Sequence, residues 1–242
     1  MTMTNNVNIG EIEVSSFDSI DSLIEKEIIL DTGIKPGVAI AINPEKVIAA
    51  RHDFSIMQIL NQATLKYPDG AGVAFVMSKK LNKKVPRIPG CELWERLMYR
   101  SAETQVPVYL LGASEEVIST TKEKLISQGV NVVGYQNGFF DHSNPESVIK
   151  AISDSGAKIV SVALGSPKQE LFIFECKKFM PDVFFMGVGG TYDVFTNNVK
   201  RAPKMFRLLN LEWLYRLLSQ PSRLFRQGRL VEYIGLYLKG RL

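Results

Sequence analysis

Cysteine is scarce: the 242 residues hold only Cys91 and Cys176, far apart and with no CxxC pair. That pattern excludes a disulfide framework or a redox dithiol and points to reduced thiols in a cytosolic chain. No stretch approaches the roughly 20 apolar residues that span a bilayer. Residues 1–8 are polar and lack the apolar core of a secretory signal. If this chain meets a membrane, it lies on the surface. Internal repeats and low-complexity tracts are absent. So is a GxGxxG followed by an acid about 20 positions on, which argues against a dinucleotide-dependent oxidoreductase.

What is present is an ordinary globular composition, 45% hydrophobic and 22% charged, with a lopsided charge. Residues 200–242 hold ten Lys and Arg against Glu212 and Glu232, a net of +8. The whole chain is +4, so the remainder carries −4. A mildly acidic body with a basic, aromatic-rich tail suits an anionic partner: nucleic acid, phospholipid or diphosphate.

Short β-branched runs at residues 37–43, 107–112, 130–134, 158–165 and 183–189 read as buried strands. Helical patterns at 44–62, 90–103, 115–128, 145–154 and 167–178 alternate with them. This alternation predicts an α/β fold, a Rossmann-like, mostly parallel sheet flanked by helices. Strand signals stop near Thr196. Dense apolar helical patterns follow at 204–218 and, after Pro221, to 238. The expected division is an α/β core over 1–196 and a basic amphipathic helical appendage over 197–242.

Ligands in such sheets sit beyond the carboxyl ends of the strands, so the residues there are the candidates. Asn43 ends the first strand, as an amide for a ligand or as the cap of a helix starting at Pro44. Asp69 sits in a Pro-Asp-Gly turn, either a plain turn or a rigidly held general base. Gly112-Ala113-Ser114 opens a helix, where backbone N–H groups can hold phosphate or Ser114 can act as a cap. Gly165 permits close approach, and Lys168 and Gln169 follow in a first helical turn suited to an anionic or sugar ligand, or to a Ser166 cap. Gly187, Gly189 and Gly190 leave a strand end bare before Asp193, an acceptor for a uracil N–H or a ribose hydroxyl, or part of a structural turn. In the tail, Arg216, Arg223 and Arg226 are suited to phosphate. The aromatics and leucines around them fit an interfacial membrane segment, or a solvated basic face on a packed helix.

The segments Asn43-Pro-Glu45, Pro68-Asp-Gly70, Ser166-Pro-Lys-Gln-Glu170, Gly187-Val-Gly-Gly-Thr-Tyr-Asp193, Val199-Lys-Arg-Ala-Pro203 and Leu211-Glu-Trp-Leu-Tyr-Arg216 together resemble the WecG/TagA/CpsF glycosyltransferase family. They occur in the right order over nearly the whole chain. The glycine-rich segment and the tail look closest to the branch that builds enterobacterial common antigen. The resemblance implies transfer of N-acetylmannosaminuronic acid from UDP to undecaprenyl-diphosphate-linked GlcNAc, at the inner face of the bacterial inner membrane. It implies Asp69 as catalytic base, Asn43 and Gln169 near sugar and diphosphate, Asp193 near the nucleotide base, and Arg216, Arg223 and Arg226 at the lipid diphosphate. It also implies transfer without a cofactor or metal, in line with the missing DxD motif. Many members carry Thr where this chain has Ala41, so a hydroxyl contact there is lost. The uronate carboxylate needs a cationic or amide partner, for which Lys168 and Arg87 are the guesses. UDP-N-acetylmannosamine is the alternative donor. A Rossmann oxidoreductase and a basic nucleic-acid or membrane module are the other classes; clustered polar residues at strand ends argue against the module. No nucleic acid is expected as partner, and homo-oligomerisation stays open.

Overall fold

The computed structural model describes residues 5–203, 205, 206, 212, 214, 215 and 227–242. The chain opens with an antiparallel hairpin, β1 (Asn5–Ile9) and β2 (Ile12–Ser16), turned at Gly10 and Glu11, both at positive φ. Its alternating Val7, Ile9, Ile12 and Val14 face the core. Helix α1 (Ile20–Glu27) and a minimal hairpin, β3 (Ile29–Leu30) with β4 (Gly33–Ile34), lead into the main sheet.

That sheet has six strands: β5 (Gly37–Ile42), β6 (Leu65–Pro68), β7 (Val108–Gly112), β8 (Val132–Gln136), β9 (Ile159–Ala163) and β10 (Phe184–Gly187). Their order is β6-β5-β10-β9-β7-β8, and all pairs are parallel. The expected α/β sheet with flanking helices is therefore present, and it is wholly parallel. Its inner strands β5, β10, β9 and β7 are buried and almost wholly apolar on both faces, as cover by two helical layers requires.

The helices are α2 (Pro44–His52), α3 (Phe54–Gln62), α4 (Ala71–Leu81), α5 (Gly90–Thr104), α6 (Glu115–Ser127), α7 (Glu146–Asp154), α8 (Lys168–Phe179), α9 (Thr191–Phe195) and α10 (Gln227–Leu238). One core layer gathers apolar residues of α2, α3, α4, α7, α8 and α10. The other gathers α1, α5, α6 and Tyr192 of α9. Tyr233 and Leu236 of α10 are buried in the first layer, so the C-terminal helix packs as part of the core.

Two local expectations change. The single helix over 44–62 breaks at Asp53, whose carboxylate accepts from Ser55 N at 2.9 Å and caps a new helix. The fourth strand starts at 132 because Gly129, at φ +85°, and Val130 close the end of α6, Val130 N donating to Leu125 O. Helix α4 lacked a sequence reading. The helix anticipated at 204–218 lies largely outside the described residues.

Candidate active site

In this sheet the helices following β5 and β9 pack on one face, and those following β10 and β7 on the other. Neighbouring chain exits diverge and leave a crevice along the carboxyl edge of the sheet. The structure brings Asn43, Asp69, Gly112, Gly165, Gln169, Gly189, Gly190 and Asp193 to this one edge, each at a strand end or in the first turn after it.

The Asp69 turn is held from three sides. Asp69 N donates to Ile42 O at 3.0 Å, Gly70 N donates to the same oxygen at 3.3 Å, and Asp69 Oδ1 accepts from Gly90 N at 2.9 Å. The carboxylate thus sits at the first turn of α5, whose own cap residue, Pro89, offers no side-chain bond. No hydrogen bond reaches Oδ2 from the described residues. A Cβ on Gly70 would lie 2.6 Å from Pro44 Cδ and 3.1 Å from Asn43 Cβ, so glycine is needed for the β5 and β6 turns to touch. Asn43 caps α2, its Oδ1 accepting from Lys46 N at 2.9 Å.

Gln169 is 4% exposed, and its amide is engaged within the protein. Oε1 accepts from Gly189 N at 3.0 Å and Nε2 donates to Glu170 Oε1 at 3.1 Å. The Gly189 donor fixes which way the amide points. A Cβ at Gly187 would lie 2.6 Å from Gln169 Nε2, so this glycine makes room for the amide. Glu170 is 1% exposed and takes a 2.7 Å ion pair from Lys46. Burial alone would push its carboxyl up; the Lys46 charge and hydrogen bond and the Gln169 amide outweigh it and hold it below its ordinary value. This buried chain joins the starts of α2 and α8 to the glycine-rich loop. It was missed in the sequence because a Lys and a Glu 124 residues apart carry no local signal.

The remaining candidates are placed as follows. Pro167, not Ser166, is the cap residue of α8, and that helix end has no side-chain cap. Lys168 there is exposed. Gly112, at φ +109°, would drive a Cβ to 2.4 Å from Ala163 O, so its bareness serves the approach of β7 to β9. Ser114 caps α6 by accepting from Val117 N. Asp193 Oδ1 accepts from Asn198 Nδ2 at 2.9 Å, and Asp193 O accepts from Val199 N, tying α9 to the segment that follows. Tyr192, also missed, anchors the glycine-rich loop: its buried hydroxyl lies 2.7 Å from Ser161 Oγ and 2.9 Å from Ser161 O. Arg216, Arg223 and Arg226 lie outside the described residues. Arg87 pairs with Glu212 at 2.5 Å, so it is engaged inside the protein. Among the described residues, no three His, Cys, Asp or Glu gather as a metal-binding group, and no helix is long and apolar enough to cross a membrane.

Residues 7–241 match the glycosyl transferase WecG/TagA/CpsF family. The chain belongs to this family. It is a glycosyltransferase acting on sugar-nucleotide donors, and membership implies a lipid-linked acceptor and a place in polysaccharide biosynthesis. In this WecG/TagA/CpsF transferase the strand-end edge holds a carboxylate fixed by Gly90 N, a helix start without a side-chain cap and a glycine-rich loop.

Proposed function

We propose that this transferase moves N-acetylmannosaminuronic acid from its UDP donor to O4 of GlcNAc on undecaprenyl diphosphate, with inversion, at a membrane surface. The observation that carries the reading is the Asp69 carboxylate, pinned through one oxygen to Gly90 N on the same edge as the Gln169-held glycine loop. Asp69 takes the proton from the acceptor hydroxyl as its oxygen bonds to C1 of the donor sugar. The bond from C1 to the diphosphate breaks, and UDP leaves with the electron pair. The start of α8, which has no side-chain cap, and the Gly190 amide beside it receive the diphosphate charge, while Gly189 N stays with Gln169 Oε1. Lys168 stands exposed at the same helix start. Arg216, Arg223 and Arg226 supply cations to one of the two diphosphates, and Asp193 reads the uridine.

The surface agrees with attachment to an anionic bilayer. On α10, Val231, Ile234 and Leu238 are 69%, 49% and 76% exposed and fall on one helical stripe opposite the buried Tyr233 and Leu236. Phe75 of α4 stands beside it, in ring contact with Tyr237 and under Lys79. In this reading α10 stays packed on the core through Tyr233 and Leu236 and meets the lipid with its outer stripe.

A panel of UDP-sugars with purified enzyme and a soluble lipid-diphosphate-GlcNAc analogue tests the reading. Transfer from UDP-N-acetylmannosaminuronate above all others is expected. Preference for UDP-N-acetylmannosamine would move the assignment to that donor, and no UDP release from any donor would sink it.

A further inference from the structure

We propose that Lys46 reads the carboxylate of the donor sugar and so sets the preference for a uronate over its neutral counterpart. The inference rests on the reading of the donor as UDP-N-acetylmannosaminuronate. Such a donor brings a second anionic group into the crevice beside its diphosphate, and a charge taken out of water needs a counter-charge. Inversion also fixes where the sugar lies: its C1 stands between the base and the groups that receive the diphosphate. Across the sheet the order β6-β5-β10-β9 puts the Asp69 turn first, then the end of β5, then the glycine-rich loop, then the start of α8. The sugar therefore falls over the ends of β5 and β10. Lys46 is in the first turn of α2, the helix that leaves β5 there.

Contacts bracket Lys46 on both sides. Its backbone N donates to Asn43 Oδ1 at 2.9 Å, and Asn43 packs against Gly70, the residue after Asp69. Its ammonium donates to Glu170 Oε1 at 2.7 Å. The same oxygen accepts from Gln169 Nε2, and Gln169 Oε1 holds Gly189 N. The Lys46 side chain is 14% exposed and that of Glu170 2%, so the ammonium is the member of the pair that a ligand can reach. Its single bond to Glu170 leaves its remaining N–H donors to a carboxylate. Glu170 also gives the ammonium a fixed aim, which lowers the ordering cost that an exposed lysine meets on binding. The sequence-level guesses for this role are placed for other work. Arg87 is paired with Glu212. Lys168 stands exposed at the start of α8, across the glycine-rich loop from Asp69, where the diphosphate is received.

The test is kcat/KM for UDP-N-acetylmannosaminuronate and for UDP-N-acetylmannosamine, which carries a hydroxymethyl group in place of the carboxylate. Lys46→Met is expected to lower the uronate-to-neutral ratio by about 10–10²-fold, the loss expected for one charged hydrogen bond. A lysine that only supports the fold would lower both donors together and leave the ratio at its wild-type value. The ratio is taken within one preparation, so it does not depend on the folded fraction. Lys46→Met leaves Glu170 as a buried charge without its partner. The double variant Lys46→Met/Glu170→Gln removes the pair whole and should show the same fall in ratio, including where the single variant does not fold. Lys168→Met should lower both donors alike. A double variant that keeps the wild-type ratio, or a ratio that falls with Lys168→Met instead, overturns the assignment. A wild-type enzyme with no preference for the uronate defeats the donor reading, and the role of Lys46 with it. A wild type that prefers the uronate, beside Lys46 variants that still do, defeats the Lys46 assignment alone.

Discussion

At the residue scale, Asp69 and Gly70 divide one task. Gly70 lets the turn sit against Asn43 and Pro44, and Asp69 is then held by Gly90 N. Asp69→Asn keeps the shape and removes the base, so transfer should fall by roughly 10²–10⁴-fold while UDP still binds. Turnover together with UDP titration checks this; near-normal turnover removes Asp69 from the base role. Gly70→Ala should act differently. Its added methyl meets proline and backbone atoms that cannot swing away, so overpacking should cost about 1–3 kcal/mol of stability, read by urea unfolding, and turnover should fall with it. Stability within error of wild type would mean that the two turns are less tightly opposed than described. Cys176 gives a simpler check. Burial pushes its thiol up to about 12, so it should resist thiol reagents at neutral pH until the protein unfolds.

At the element scale, the Lys46–Glu170–Gln169 chain holds α2, α8 and the glycine-rich loop as one unit. Glu170 is depressed below its ordinary 4.5, so it contributes stability that is complete above that value and is lost as pH falls through its lowered folded pKa. Replacing it by Gln removes one partner of a buried pair and should cost about 3–5 kcal/mol at neutral pH. The deficit should shrink in acid; a deficit independent of pH would show that the charge of Glu170 is not what matters. The outer stripe of α10 predicts that Val231→Asp/Leu238→Asp weakens binding to anionic vesicles without lowering the melting temperature, because both side chains are exposed. Unaltered sedimentation with vesicles would place the membrane contact elsewhere.

What the sequence made legible follows the same physics. The main strands and most helices were readable because buried parallel strands are continuous apolar runs closed by Gly, Pro or Asn. The positions of Asn43, Asp69, Gln169 and Asp193 beyond the strands were readable because strand ends can be located before the fold is known. The β1–β2 hairpin was overlooked since its alternating Val7, Ile9, Ile12 and Val14 lie among asparagines and acids. Tyr192, Glu170 and Glu212 escaped for a different reason. Their partners, Ser161, Lys46 and Arg87, lie 31, 124 and 125 residues away, and only the closed sheet makes them neighbours.

At the scale of the whole molecule, the central claim is spatial: donor, acceptor and base meet along the carboxyl edge of the six-stranded sheet. The opposite edge offers a contrast, a shallow groove lined by Ile152, Gly156, Lys158, Phe179, Met180 and Asp182. A crystal structure with UDP and a soluble diphosphate-GlcNAc acceptor tests the claim most directly. The account predicts the uridine diphosphate against the Gly187–Asp193 loop and the start of α8, with the acceptor hydroxyl within about 2.6–3.2 Å of Asp69. UDP seated in the opposite groove, or an acceptor hydroxyl directed at some other carboxylate, would contradict it.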